Sequence, residues 1–156
     1  MDKNLIKCGL AFLAGTVCGF VFHKYKDSPK SGEDKNRKYS QLFDNWLILS
    51  ERGEGIGTYF KERDMKEVAV YGYGNIGRHV ITQLSHADIH VKYIIDQRKD
   101  GILSGDIVCY GTGDSLPEVD AVIITPICEY REIEDWLQKK ISAPAISIED
   151  IIYELL

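Results

Sequence analysis

Short apolar runs alternate with amphipathic runs over residues 66–156, and this alternation constrains the fold more than any other feature of the chain. Strand-like apolar runs lie at 67–72, 89–96, 107–111, 120–126 and 143–148. Apolar residues at helical spacing lie at 75–86, 129–140 and 149–156. Apolar strands that alternate with helices are typical of a parallel sheet covered by helices on both faces. The sequence therefore predicts an α/β domain with about five parallel strands.

One connection in this pattern is short. Only residues 97–106 separate the second predicted strand from the third, which leaves too little chain for a good crossover helix. We expect the third strand to be a short edge strand that is reached by a loop. We expect neither a second mononucleotide-binding half nor a substrate domain within these residues.

Three glycines follow the first predicted strand at the spacing G-x-G-x-x-G: Gly72, Gly74 and Gly77. In such a turn Gly72 lets the chain leave the strand sharply, Gly74 lets a pyrophosphate approach the backbone, and Gly77 lets the helix pack closely on the sheet. The N-terminus of the following helix offers N–H groups and a positive dipole end to phosphates. The pattern predicts a dinucleotide-binding turn in a Rossmann-like domain.

Asp96 ends the second predicted strand, where a carboxylate can accept hydrogen bonds from ribose hydroxyls and repels a 2′-phosphate. The expected ligand is therefore NAD. Arg98 lies nearby and keeps NADP as an alternative. A degenerate fold that keeps its glycines for packing and binds nothing is the other interpretation.

The motifs VAVYGYGNIGRHVITQL, VKYIID, GDIVCYG, SLPEVDAVIITP, REIEDWL and SIEDII follow one another over residues 66–156. Together they resemble the nucleotide- or CoA-binding Rossmann domain of membrane-bound polysaccharide-biosynthesis nucleoside-diphosphate-sugar epimerases/dehydratases. Similar domains accompany bacterial glycosyltransferases and sugar acyltransferases. The resemblance implies a dinucleotide, nucleotide-sugar or CoA ligand and a polysaccharide-biosynthesis enzyme as partner. We expect this chain to depart from that family by carrying no catalytic domain.

The resemblance also implies that the loop after the fourth strand touches the ligand. The complete predicted binding site is Gly72, Tyr73, Gly74, Asn75, Ile76, Gly77, Asp96, Gln97, Thr125 and Pro126.

Catalytic signals are weak. A short-chain dehydrogenase or epimerase needs Tyr-x-x-x-Lys, and none of the nine tyrosines has a lysine four residues later. Cys128 is either an inert thiol or, if a base lowers its pKa, a nucleophile. His86 and His90 lie four residues apart at a predicted turn, and zinc would need further ligands. We expect a binding module, with a partner-completed oxidoreductase or sugar-nucleotide-modifying subunit, or a non-binding interaction domain, as alternatives.

A second apolar segment lies near the N-terminus. The 15 residues Cys8–Phe22 carry no charge, and as a helix they would span roughly 22 Å, which Lys7 and Lys24 can extend by snorkelling. We predict an uncleaved transmembrane anchor within residues 1–25. A cleaved signal peptide is the alternative, but no small-x-small site follows the segment.

The charges around this segment predict its orientation. Six Lys and Arg residues follow it by residue 38, whereas two lysines precede it. The positive-inside rule then predicts a single-pass protein of the inner (cytoplasmic) membrane with a cytoplasmic globular domain. Residues 39–156 carry a net charge of −9, from 11 Lys and Arg against 20 Asp and Glu, which argues against nucleic acid as a partner.

Ala11, Gly15 and Gly19 recur every four residues in the predicted span. Such a small-residue stripe lets membrane helices approach closely, so it predicts self-association or a membrane-embedded helix partner. The alternative is that glycine and alanine are simply common in membrane helices. The span and the polar sequence after it resemble YtxH-like membrane-anchored proteins, which implies an anchor without chemistry.

Composition divides the rest of the chain before the α/β domain. Residues 26–38 are polar and contain proline and glycine, so they are predicted to be a linker. Residues 39–65 show helical periodicity and are predicted to be a helical lead-in that packs on the domain at 66–156. Trp46 is expected in that contact, with an anchoring role at the membrane interface as the alternative.

Overall fold

The computed structural model describes residues 32–98 and 106–156. The helices are α1 (Gly32–Glu51), α2 (Gly57–Glu62), α3 (Asn75–Ser85), α4 (Tyr130–Leu137) and α5 (Ile148–Leu155). The strands are β1 (Glu67–Tyr71), β2 (His90–Ile95), β3 (Val108–Tyr110), β4 (Ala121–Ile124) and β5 (Ala145–Ser147). Every helix and strand predicted over residues 66–156 is present, with ends that differ by a few residues.

All five strands run parallel in one sheet, in the order β3-β2-β1-β4-β5. The chain therefore starts at the centre with β1, moves outward to β3, and then returns to the other side of β1 with β4. This is the order of the first five strands in the Rossmann fold. The predicted parallel sheet is confirmed, and β3 is the short edge strand that was expected.

Two apolar cores lie on opposite faces of the sheet. Helices α1, α2, α3 and α5 cover one face, where they pack against Val68, Val70 and Ile123 among others. Helix α4 covers the other face, where Ile133 and Leu137 contact the opposite side of the same strands. Helices on both faces were predicted, and this coverage explains why β1 and β4 read as continuous apolar runs.

Helix α1 belongs to the folded domain. Trp46 is only 6% exposed, and its Nε1 donates a hydrogen bond of 3.1 Å to Gln83 Oε1 on α3. Trp46 therefore packs on the domain, as the first interpretation predicted, and is not available as a membrane-interface anchor.

The start of α1 corrects the predicted domain boundary. The helix begins at Gly32, so residues 32–38 of the predicted linker are helical. Two acidic residues in its first turn suit a helix N-terminus, and Lys35 forms an ion pair with Glu129 of the α/β domain. This polar segment shows no apolar periodicity, so the ion pair between Lys35 and Glu129 could not be predicted from the sequence.

The predicted anchor at residues 1–25 lies outside the described residues. Within 32–98 and 106–156, none of the helices combines the length and the apolar character that crossing a bilayer requires.

Candidate functional site

The glycine turn begins where β1 ends. Gly72 has φ +91°, a conformation that L side chains rarely adopt. A Cβ at this position would also lie 2.7 Å from Thr125 Oγ1 and 3.2 Å from Pro126 Cδ. The Thr125 hydroxyl is fixed there because it donates to the carbonyl oxygen of Tyr71 at 2.9 Å. Gly72 is therefore required by both backbone conformation and packing.

Gly77 and Gly74 differ sharply in their surroundings. A Cβ at Gly77, in the first turn of α3, would overlap the carbonyl oxygen of Gly72. Gly74 is the N-cap residue of α3 with φ −75°, and a Cβ there would meet nothing within 4 Å. Packing therefore explains Gly72 and Gly77 but does not explain Gly74, where serine, asparagine or aspartate would make a better N-cap.

Asp96 lies directly beside this turn. Its Oδ2 accepts a hydrogen bond of 2.9 Å from the Tyr73 N–H, and its Oδ1 accepts one of 2.8 Å from the Arg98 N–H. The carboxylate thus ties the end of β2 to the glycine turn. Each carboxylate oxygen has a second lone pair, so Asp96 can still accept hydrogen bonds from ribose hydroxyls.

A crevice opens at the carboxyl ends of the strands, between the glycine turn and α4. Its volume is about 590 Å³, which lies within the range of ligand pockets. It is lined by Tyr71, Gly72, Asp96, Gln97, Arg98, Thr112, Pro126, Glu129, Glu132, Ile133 and Trp136. The chain reverses its direction of strand addition between β1 and β4, and ligands of open α/β sheets bind at that point.

The predicted site residues therefore separate into groups. Gly72, Asp96, Gln97 and Pro126 line the crevice. Tyr73, Gly74 and Asn75 form the adjacent turn, where Gly74 and Asn75 are exposed. The Ile76 side chain and Gly77 are buried, and the Thr125 side chain is only 4% exposed. Ile76, Gly77 and Thr125 thus support the fold, and at Ile76 and Gly77 only the backbone is suited to contact a ligand.

The sequence reasoning missed the wall that α4 contributes. Glu129, Glu132, Ile133 and Trp136 line the crevice, whereas the sequence predicts Ile133 and Trp136 as inward-facing residues of a helix whose mixed charges form a solvated face. Their spacing of three and four residues directly after a central strand was the available signal. With Asp96, this wall gives the lining three carboxylates against the one guanidinium of Arg98, and Lys35 pairs with Glu129 from outside the lining. The lining is therefore acidic, which suits a ligand without a 2′-phosphate.

An uncharged aromatic pair, Tyr71 of β1 and Trp136 of α4, also lines the crevice. The rings of Tyr71 and Trp136 meet edge to face with centroids 5.8 Å apart. Burial raises the pKa of Tyr71, so its hydroxyl stays protonated near neutral pH.

Cys128 does not face the crevice. It is buried in the core on the α3 side of the sheet, and burial followed by the charge of Glu129 raises the pKa of its thiol. The nucleophile alternative is therefore disfavoured, because the reactive species is the thiolate.

Cys128 is accordingly expected to react slowly with thiol reagents. In the folded protein, iodoacetamide should modify the half-buried Cys109 at least about tenfold faster than Cys128, as followed by peptide mass spectrometry. Unfolding in urea should remove the difference. Equal rates in the folded protein would show that Cys128 is accessible after all.

In the segments that the structure describes, no group of three His, Cys, Asp or Glu residues is placed to hold a metal ion. His86 and His90 therefore have no further ligands beside them for zinc. His79, on the exposed face of α3, packs its ring edge to face against Trp46 at 6.4 Å.

Comparison with models of protein families, with curated proteins and with solved structures finds no match to this chain. The class of the protein accordingly follows from its fold and site. It contains an α/β domain with a five-stranded parallel sheet in the Rossmann order, and its crevice opens beside a glycine turn.

Proposed function

We propose that this protein is a membrane-anchored cytoplasmic module that binds NAD or a related nucleotide, such as a nucleotide sugar or CoA, at its glycine turn. It would act as an accessory or sensory component of polysaccharide or envelope biosynthesis. The observation that carries the nucleotide site is Gly74, an exposed glycine with ordinary φ and open space above it at the N-terminus of α3. A phosphate needs that space and those N–H groups.

The neighbouring residues support the same placement. With the pyrophosphate over Gly74, the adenosine ribose would lie beside Asp96, and the other half of the ligand would extend along the α4 wall. Arg78 lies in the same turn, where its Nη2 donates to Asn75 Oδ1 at 2.8 Å, so its guanidinium is close to the proposed phosphate position. The acidic lining favours NAD over NADP.

The anchor and the biosynthetic setting rest on the sequence. The apolar span, its basic flank and the two resemblances support them. If the anchor is integral, carbonate extraction of membranes from cells that express the full chain should leave the protein in the pellet. The globular domain should also be resistant to protease added to intact spheroplasts. Release by carbonate would contradict the anchor, and digestion would contradict the cytoplasmic placement.

Asp96→Asn tests the ribose contact. Asparagine loses the negative charge, so NAD affinity should fall about tenfold, or roughly 1.4 kcal/mol, and the preference for NAD over NADP should shrink. Asparagine also presents one acceptor oxygen to the Tyr73 and Arg98 N–H groups, so stability should fall by about 1 kcal/mol. Titration calorimetry and thermal unfolding of the full chain in detergent micelles measure the two effects.

Asp120→Asn is the matched control. Asp120 also accepts two backbone hydrogen bonds, from the Lys66 and Glu67 N–H groups at 2.7 and 2.8 Å, but it lies at the amino end of the sheet, opposite the crevice. Both of these bonds go to Oδ2, so the single oxygen of asparagine can keep them, and the control should lose less stability than Asp96→Asn and no NAD affinity. If both variants bind NAD as the parent does, Asp96 serves the turn alone.

A further inference from the structure

An ion pair joins the crevice to the first turn of α1. Lys35 Nζ lies 2.6 Å from Glu129 Oε1, and Glu129 is both the N-cap residue of α4 and part of the crevice wall. The 2.6 Å distance is that of a hydrogen-bonded ion pair, and this hydrogen bond raises the pKa of Lys35. The crevice wall and the start of α1 are therefore in direct contact.

A second contact supports the first. Tyr39 follows Lys35 by four residues, so both side chains lie on one face of α1. Tyr39 packs on the core and interacts with Cys128, the residue that precedes Glu129. The first two turns of α1 are thus attached to the β4–α4 connection, whereas Trp46, further along the same helix, contacts α3.

We propose that Lys35, which α1 holds at the crevice residue Glu129, is a ligand-binding residue that bridges Glu129 and a phosphate of the bound nucleotide. The inference rests on the proposed function, because it assumes a nucleotide at the glycine turn. Its consequence is that occupancy of the crevice tightens the first turn of α1.

The chemistry of the pair suits this bridge. An ammonium group has three donors, and the Lys35 side chain is 44% exposed, so donors remain for a second acceptor. The Glu129 side chain is 43% exposed and would repel a nearby phosphate unless a cation lay between them. Lys35 does not itself line the crevice, but its ammonium group is held at Glu129, which does. Reaching a phosphate beside Glu129 therefore requires little further ordering of the Lys35 side chain.

The expected coupling is small, because both partners are exposed to solvent and such pairs contribute little. Lys35→Met should weaken NAD binding about threefold. Glu129→Gln should strengthen it by a similar factor, because it removes the repulsion and leaves Lys35 to the phosphate. Coupling is reciprocal, so NAD should slow hydrogen exchange over residues 32–42 in the parent protein.

The test combines NAD titration with hydrogen exchange on the full chain in micelles. Both variants should show faster exchange over residues 32–42 without ligand, since each breaks the ion pair. NAD should restore protection in Glu129→Gln but not in Lys35→Met. Arg37→Met is the control, because it removes a positive charge from the same helix, but Arg37 pairs with Asp34 within α1. The NAD affinity of this variant should equal that of the parent.

Opposite shifts in affinity are the signature, since a purely structural ion pair would change exchange without changing NAD binding. If NAD binds the parent protein but Lys35→Met, Glu129→Gln and Arg37→Met all share its affinity, the bridge is refuted while the nucleotide site stands. If NAD does not bind the parent protein, the proposed function and the bridge are both refuted.

Discussion

Gly77→Val is expected to lower the free energy of unfolding by about 3 kcal/mol or more, the upper end of the cost of overpacking a well-filled site. A Cβ at this position overlaps the carbonyl oxygen of Gly72, which is backbone and cannot rotate away. Relief would require α3 to move off the sheet, and α3 contributes Ile76, Val80 and Leu84 to the core. For a chain of this length the melting temperature should fall by roughly 9 °C.

Gly74→Val provides the matched comparison, because it adds the same side chain three residues earlier in the same turn. Nothing lies within 4 Å of a Cβ at Gly74, so the loss should be about 1 kcal/mol or less, from the poorer N-cap. Thermal and urea unfolding of both variants measure the contrast. Equal losses would mean that the two glycines do not divide the structural and binding roles as the geometry indicates.

The same Gly74→Val substitution should have the larger effect on binding. Its side chain would occupy the open space at the N-terminus of α3, where the phosphates are proposed to lie. We expect NAD affinity to fall at least about a hundredfold, equivalent to roughly 2.8 kcal/mol, in calorimetric titrations of the full chain.

Gly74→Ser separates capping from ligand exclusion. Serine is a better N-cap than glycine, so this variant should be as stable as the parent or slightly more stable. It nevertheless adds atoms above the turn and should weaken NAD binding, by less than valine does. NAD affinity unchanged in both variants would show that the phosphates do not approach Gly74.

Local patterns were sufficient to predict most of the α/β domain. The continuous apolar character of β1 and β4, the helical spacing in α3 and the glycine turn are each encoded within about ten neighbouring residues. The shortness of residues 97–106 likewise predicted β3 as an edge strand. Turn chemistry also predicted that Gly72 allows the sharp turn and that Gly77 allows close helix packing. In the structure neither position has room for a side chain.

Features that depend on distant residues were not predictable in the same way. The first two turns of α1 are polar, and their attachment depends on Glu129, 94 residues away from Lys35. The α4 wall mixes charges, and only the position of α4 beside the strand ends directs Glu132 and Trp136 to the crevice. The second role of Asp96, as acceptor for the Tyr73 N–H of the glycine turn, was hidden for the same reason.

Amide chemical shifts test the central claim most directly, because they report where a ligand binds. The isotope-labelled full chain in micelles should show saturable shifts at Gly74, Asn75, Ile76, Gly77 and Asp96 when NAD is added. Amides at the amino end of the sheet, such as Lys66 and Glu67, should not move. If millimolar NAD, NADP, CoA and UDP-sugars all leave the glycine turn unshifted, the turn is no nucleotide site and its glycines serve the fold alone.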